Sequence, residues 1–202
     1  MGDYYLYQPL TRADKATVVL YRTGIVLTCL LISGLAVCLA LSAAIEARGA
    51  FNLFLGLLYF SVGLSVFFIH LYIGRFRKNL KGLYFTALAA LAFVVIKGRG
   101  DALSYIAGVH ISGAHIGPLL LLPIAGCIGF IAAKEAFCFR LVEGYLLALA
   151  MPLYLIAFSA GVLGSAGVTT GLMFIAALMV LFTARKAFMP LHADIGDKSA
   201  YR

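Results

Sequence analysis

Residues 23–45 read TGIVLTCLLISGLAVCLALSAAI and contain no Lys, Arg, Asp or Glu. A helix that crosses a bilayer needs about 20 mostly apolar residues, because each residue rises about 1.5 Å and the backbone must form its hydrogen bonds internally. The stretch meets this requirement, and it is longer than the apolar core of a secretory signal peptide, which has about 7–15 residues. It therefore predicts a membrane helix that stays in the protein.

The whole chain has the composition of a membrane protein. Of its 202 residues 63% are hydrophobic and 12% are charged, and the mean hydropathy is +1.03. A soluble domain carries about 25% charged residues, so most of this surface must face lipid. The net charge of +8 belongs to basic residues beside apolar runs, which indicates topology and anionic lipid headgroups rather than nucleic acid. The lipid bilayer is thus the first predicted partner.

The remaining apolar runs predict five further spans. Run 50–74 is uncharged, and run 81–97 begins and ends with a lysine that can extend towards the headgroups. Run 102–133 is too long for one span, so its first part, 102–115, is expected to be interfacial or partly inserted. Run 144–183 would be about 60 Å long as one helix and must turn at its glycines. The predicted fold is all-α, a polytopic membrane bundle with six transmembrane helices at 23–45, 50–74, 81–97, 116–133, 145–163 and 168–184.

Lys and Arg fall unequally on the two sides of this arrangement. One side receives thirteen of them, and the other receives three, Arg48, Lys97 and Arg99. Cytoplasmic loops carry the excess of basic residues in membrane proteins. We therefore predict that both termini are cytoplasmic, with an N-terminal segment at 1–22, a transmembrane domain at 23–184 and a C-terminal tail at 185–202.

The predicted spans carry few groups that could perform chemistry. No Asp, Glu, Lys or Arg lies in the middle of a span, although such residues mark ion paths and cofactor sites. His70 is predicted to lie within the second span, where a haem ligand would need an axial partner at similar depth. His110 and His115 are five residues apart and do not share a helical face, and the four cysteines have no CxxC spacing. We assign no catalytic, metal or cofactor-binding residue.

Two segments on the predicted cytoplasmic side are more distinctive. Glu135 and Cys138 lie three residues apart after the fourth span, where a thiolate beside basic groups could be reactive. The alternative is an ordinary helix end with aromatic anchors. In the tail, Asp194 and Asp197 precede Lys198 in a spacing that matches neither an EF-hand nor a P-loop, so the tail alone indicates no ligand.

The same segments resemble a family of uncharacterised bacterial integral membrane proteins, found also in photosynthetic lineages and classified as a domain of unknown function. The matching motifs are Tyr-Arg-Thr-Gly at 21–24, Ile-His-Leu-Tyr-Ile at 69–73, Lys-Glu-Ala-Phe-Cys-Phe at 134–139 and Asp-Ile-Gly-Asp-Lys-Ser at 194–199. The resemblance implies a multi-pass protein of the bacterial cytoplasmic (inner) membrane and supplies no activity. If these motifs carry the function, one cytoplasmic cluster would form from Arg22, His70, Glu135, Cys138, Asp194, Asp197 and Lys198.

Three functions compete on this basis. We favour a non-enzymatic accessory, assembly or scaffold protein whose cytoplasmic face docks a membrane-protein complex, because the distinctive polar residues gather there. A small-solute carrier or channel is the alternative, since Pro123, Pro152 and the glycine-rich turn could interrupt helices around a cavity. The third is a membrane enzyme, or a binder of a lipid-soluble cofactor such as a quinone, that uses His70, Glu135 and Cys138.

Overall fold

A computed structural model describes residues 11–41, 48–71, 73–108, 110–111 and 114–195. Six helices in these ranges are long and apolar enough to cross a membrane, which confirms the predicted all-α fold with six membrane helices. In chain order the helices are α1 (Arg12–Ala40), α2 (Arg48–Phe68), α3 (Gly74–Lys97), α4 (Ala102–Gly108), α5 (Leu122–Phe139), α6 (Val142–Ser159), α7 (Ser165–Ala187) and α8 (His192–Ile195). The two short ones, α4 and α8, are not among the six.

Helix α1 begins eleven residues before the predicted span at 23–45. Thr11 caps it: the Thr11 side chain accepts a hydrogen bond from the Asp14 backbone N–H at 3.2 Å, and the Asp14 carboxylate accepts one from the Thr11 N–H at 2.9 Å. This reciprocal capping box satisfies two backbone donors that a helix start leaves open. Residues 12–22 of the predicted N-terminal segment are therefore helical.

The break between the second and third helices lies earlier than the hydropathy of the sequence indicated. Helix α2 ends at Phe68 rather than at 74, and α3 begins at Gly74 rather than at 81. The basic stretch 75–81 is thus the start of a helix instead of a loop. His70 lies in the non-helical break, so its predicted place within the second span is wrong.

The stretch before the fourth span folds into small elements. Helix α4 is followed by two-residue strands, β1 (His110–Ile111) and β2 (Ala114–His115), in which His110 and His115 are backbone partners. A 3₁₀ turn, Gly117–Leu121, leads into α5. The Asn52 side chain of α2 anchors the stretch, because it donates to the Gly100 carbonyl and accepts from the Ala102 N–H.

The last three spans agree with their predicted positions to within a few residues at most ends. The fourth helix continues six residues past the predicted end at 133, as far as Phe139, where Arg140 adopts a left-handed conformation with φ of 55°. The turn expected at the glycine cluster lies between Ser159 and Ser165, and Gly161 has φ of 69° there. Such positive φ values are readily accessible to glycine.

The long helices alternate in direction along the chain. Thr17 of α1 contacts His70, while Thr28, three turns later, contacts Ser61 of α2, so these helices are antiparallel. Large apolar side chains such as Leu30, Phe60 and Phe174 point outwards and are more than half exposed, as expected where lipid is the solvent. We call the end at which α1 begins and α2, α5 and α7 end the basic end, and the other the far end.

Candidate functional site

A buried carboxylate from α5 forms the centre of the polar structure at the basic end. Glu135 is 0% exposed, and its Oε1 atom accepts hydrogen bonds from the Tyr21 hydroxyl at 2.6 Å and from Lys134 Nζ at 2.7 Å. Its Oε2 atom forms an ion pair with Lys186 of α7. Glu135 therefore joins α1, α5 and α7 through three polar contacts.

Lys186 connects this carboxylate to a second one. Its ammonium group contacts both Glu135 and Asp194 of α8, and it also lies 4.1 Å from the centroid of the Phe139 ring, a favourable cation–π position. The Asp194 Oδ2 atom in turn accepts a hydrogen bond from Arg22 Nε at 2.6 Å. Charges of alternating sign thus run without interruption from Arg22 through Asp194 and Lys186 to Glu135.

Arg22 also fastens the end of α7. Its guanidinium group donates to the carbonyl oxygens of Ala187, Met189 and Pro190. These carbonyls lie at and just beyond the C-terminal end of the helix, where backbone acceptors lack intrahelical partners and a positive charge is favourable. The contacts explain why the chain turns back after Ala187 and brings Asp194 into the bundle.

We define the ion-pair cluster as Arg22, Lys134, Glu135, Lys186 and Asp194, with Tyr21 as its neutral donor. Lys186 and Glu135 are almost fully enclosed, whereas the Lys134 side chain is 12% exposed. The cluster holds three cations and two carboxylates and therefore carries a net positive charge. Buried charges are tolerated when they are paired and hydrogen-bonded in this way, and the arrangement is that of an internal clamp.

His70 lies beside the cluster without joining its ion pairs. Its Nε2 atom is 3.2 Å from the Thr17 hydroxyl, which also donates to the Asp14 carbonyl at 2.9 Å. Burial, and then the positive charge of Lys134, lower the pKa of His70 below its ordinary value. The ring is therefore neutral at pH 7, and its protonation as the pH falls works against the folded state.

The seven residues of the predicted cytoplasmic cluster separate into groups. Arg22, Glu135 and Asp194 meet, and His70 is their neighbour. Cys138 is exposed in the last turn of α5 and is not a member of these ion pairs. Asp197 and Lys198 lie outside the described residues.

Three members of the ion-pair assembly were not among the candidates from the sequence: Tyr21, Lys134 and Lys186. Lys186 counts only towards topology in the sequence analysis, whereas Tyr21 and Lys134 also begin two of the family motifs. For Lys186 a signal existed, because it continues the buried face of α7 through Ile175, Met179 and Phe182, at intervals of three and four residues that define one helical face.

The described residues offer little for metal ligation. No group of three or more His, Cys, Asp or Glu within them could hold a metal ion. The carboxylates of Glu135 and Asp194 are already neutralised by Lys and Arg, which is a poor environment for a further cation.

Comparison with known proteins matches the chain to a family model. The model of a family described as Uncharacterized integral membrane protein (DUF2301) matches residues 64–202. The matched region contains Glu135, Lys186 and Asp194, while Arg22 lies before it. Neither a curated protein nor a solved structure matches the chain.

Proposed function

This chain belongs to the DUF2301 family of uncharacterised integral membrane proteins, and we propose that it is a non-enzymatic accessory protein whose basic end docks an acidic segment of a partner membrane protein. The observation that carries the proposal is a set of exposed cations with no counterion among the residues that the structure describes. Arg75, Arg77 and Lys78, in the first two turns of α3, are exposed and form no ion pair with any residue that the structure describes.

The carboxylates at the same end are already engaged. Glu135 and Asp194 belong to the ion-pair cluster, and Glu143 accepts two hydrogen bonds from Arg185 at 2.9 Å. The positive charge on the first turns of α3 is consequently not offset by these acidic groups, and the N-terminal end of that helix adds a partial positive charge of its own. Complementary charge on a partner favours encounter and fixes orientation.

The ion-pair cluster supports a docking role over a catalytic one. Arg22 and Asp194 are buried and paired with each other, and the buried Glu135 is connected to Asp194 through Lys186. These residues therefore hold the helix ends in place rather than face a substrate. A rigid end with an outward-facing basic surface suits recognition, because little conformational entropy is lost on binding. The exposed Phe76 and Ile73 lie between or beside the cations and add apolar area that a protein partner can cover.

Loss of these cations is expected to release the partner. The test variant combines Arg75→Gln, Arg77→Gln and Lys78→Gln. When it is tagged and purified in mild detergent, we expect the amount of co-purifying partner protein to fall at least tenfold. A photo-crosslinking residue in place of the exposed Asn79, in a protein that keeps the three cations, should crosslink to an acidic segment of the partner protein.

The matched control is Lys97→Gln with Arg99→Gln, which removes exposed cations from the other end of α3 and should leave the partner bound. Retention of the partner by the triple variant would contradict the docking proposal. A second pair of results would also contradict it: crosslinks to lipid alone, and binding of the wild type to anionic but not to neutral vesicles. The basic surface would then recognise lipid headgroups instead of a protein.

We further propose that the basic end faces the cytoplasm of a bacterial inner membrane, with both termini on that side. The support is the distribution of basic residues, thirteen against three, under the positive-inside rule. Cys138 is exposed at this end, whereas the exposed Cys38 lies near the far end of α1, so the test needs a variant with a single cysteine.

In a variant that keeps Cys138 as its single cysteine, a membrane-impermeant maleimide should label the chain only after the cells are opened. A second variant with one cysteine at the exposed Ala160, in the α6–α7 turn at the far end, should be labelled in intact cells. The opposite pattern would reverse the proposed orientation and leave the helix arrangement unchanged.

A further inference from the structure

A cavity of about 500 Å³ lies between the helices in the half of the bundle nearer the far end. Six helices contribute to its wall: α1, α2, α4, α5, α6 and α7. Its volume is in the range of sites that hold small organic molecules, about 300–1,000 Å³. The cavity is separate from the ion-pair cluster, none of whose members lines it. The residues that line it are Ile32, Leu35, Leu39, Phe51, Phe54, Leu55, Leu58, Leu103, Ile106, Ala107, Pro118, Leu121, Ile124, Ala125, Ile128, Met151, Tyr154, Leu155, Phe158, Val168, Leu172 and Ile175.

The wall of the cavity is apolar almost throughout. Among the described residues that line it, the one polar side chain is Tyr154, whose hydroxyl already donates to the Val168 carbonyl at 3.0 Å. A quinone ring, a sugar or a small polar solute would have to give up its hydrogen bonds to water on entering, without replacement from the wall. A hydrocarbon chain forms no hydrogen bonds with water and therefore loses none on entering. The apolar wall thus favours an alkyl or isoprenoid chain, whose polar head group would stay outside the cavity.

An unoccupied space of this size would be costly. Each unit of cavity volume in a protein interior forfeits dispersion contacts and transfer free energy, and over this volume the loss rivals the whole stability of an ordinary domain. Water does not remedy it, because a stable buried water needs two or more polar partners. In a membrane the available filler is hydrocarbon, and half-buried lining residues such as Leu39 and Leu172 leave the cavity in contact with its surroundings.

We propose that this cavity binds the hydrocarbon chain of a membrane lipid, with the lipid head group outside the wall. The depth of the cavity fits part of such a chain. On α1 the lining runs from Ile32 to Leu39, and on α6 from Met151 to Phe158, which is about 10 Å along each helix axis. This role is independent of docking at the basic end, and it separates the chain-binding half of the bundle from the polar half.

The test uses the full chain in nanodiscs and two photoreactive probes, a phosphatidylglycerol with a diazirine in its acyl chain and a farnesyl diazirine. The adducts are mapped by mass spectrometry on α6, which carries its own control. Met151 and Leu155 line the cavity, while Leu149 and Leu153 on the same helix face outwards. We expect adducts on the cavity residues in addition to the outward ones. Preference for one probe identifies the chain as acyl or isoprenoid.

A cavity-filling variant sharpens the result. Ala125 is buried and lines the cavity, so Ala125→Phe should reduce adducts at Met151 and Leu155 at least tenfold and leave those at Leu149 and Leu153 unchanged. The control Ala89→Phe, on the exposed face of α3, should change neither. Adducts confined to outward residues in the wild type, whatever the folding of the variants, would overturn the proposal, and so would full cavity labelling in a folded Ala125→Phe protein.

Discussion

Replacement of Lys186 by methionine is expected to lower the free energy of unfolding by about 3–5 kcal/mol, the usual loss when one partner of a buried ion pair is removed. Lys186 lies between Glu135 and Asp194 and contacts both. Without its charge the two carboxylates keep only Lys134, Tyr21 and Arg22, and they face each other across a space that excludes water. Because both carboxylates contact the same ammonium group, they lie close together, and two like charges that close disfavour each other's ionised form. The folded state therefore loses stability.

The neighbouring residue supplies the control for this experiment. Arg185 also pairs with a carboxylate, Glu143, but its side chain is 55% exposed. Arg185→Met should therefore cost at most about 1 kcal/mol, as is usual for surface ion pairs. Unfolding of both variants by SDS in mixed micelles measures the difference. Equal stability of the two variants would show that the ion-pair cluster does not clamp the helices.

A double variant separates charge from shape. Adding Glu135→Gln to Lys186→Met removes one of the two facing carboxylates while keeping a side chain of similar size that can still hydrogen-bond to Tyr21. We expect part of the lost stability to return, since interacting sites give non-additive effects. The same assay checks this, and strictly additive losses would mean that the two residues act independently.

The bundle was predictable because lipid selects for long apolar runs, which need no knowledge of tertiary contacts. All six membrane helices follow from that pattern. The ion-pair cluster was harder to predict, since hydropathy treats a charged residue near a span as the end of that span. Hydropathy makes Arg22 the last residue before the first span, yet it continues the buried face of α1 between Tyr21 and Ile25.

The same periodicity also indicates Glu135 as a member of the ion-pair cluster. On α5 the buried positions Ile124, Ile128 and Ile131 lead to Glu135, at intervals of three and four residues. A charged residue that continues a buried stripe needs a partner of opposite sign on another helix, and this indicates a cluster. The Arg22–Asp194 contact still could not be predicted from this rule, because the carbonyl contacts of Arg22 that hold the turn before α8 leave no mark in the hydropathy.

The ends of α2 and α3 show a different limit. His70 was assigned to the second span because residues 69–74 are uncharged, but the helix ends at Phe68. The Thr17 hydroxyl provides the polar partner for His70 in the break, and only the tertiary structure places Thr17 there. An uncharged break between two helices is indistinguishable, by composition, from a continued helix.

Close approach of α1 and α2 predicts a second large effect, at Gly24 of the Tyr-Arg-Thr-Gly motif. A Cβ atom added there would lie 2.5 Å from the Ser61 carbonyl oxygen and 2.8 Å from the Ser65 backbone nitrogen. Neither atom can move without shifting α2. We therefore expect Gly24→Ala to lower the free energy of unfolding by about 1–3 kcal/mol, as overpacking does in well-packed interiors.

Gly34, on the same helix, provides the matched control because an added Cβ meets nothing within 4 Å there. Gly34→Ala should be neutral or stabilising by up to about 1 kcal/mol, since alanine favours a helix over glycine. The two substitutions are chemically identical, so their difference in SDS unfolding measures the helix contact alone. If Gly24→Ala were no less stable than Gly34→Ala, α1 and α2 could not approach as closely as Thr28 and Ser61 require for their 2.8 Å hydrogen bond. Separation of these helices would also move Tyr21 and Arg22 away from Glu135 and Asp194, so the same variant should weaken the ion-pair cluster and reduce the additional loss caused by Lys186→Met.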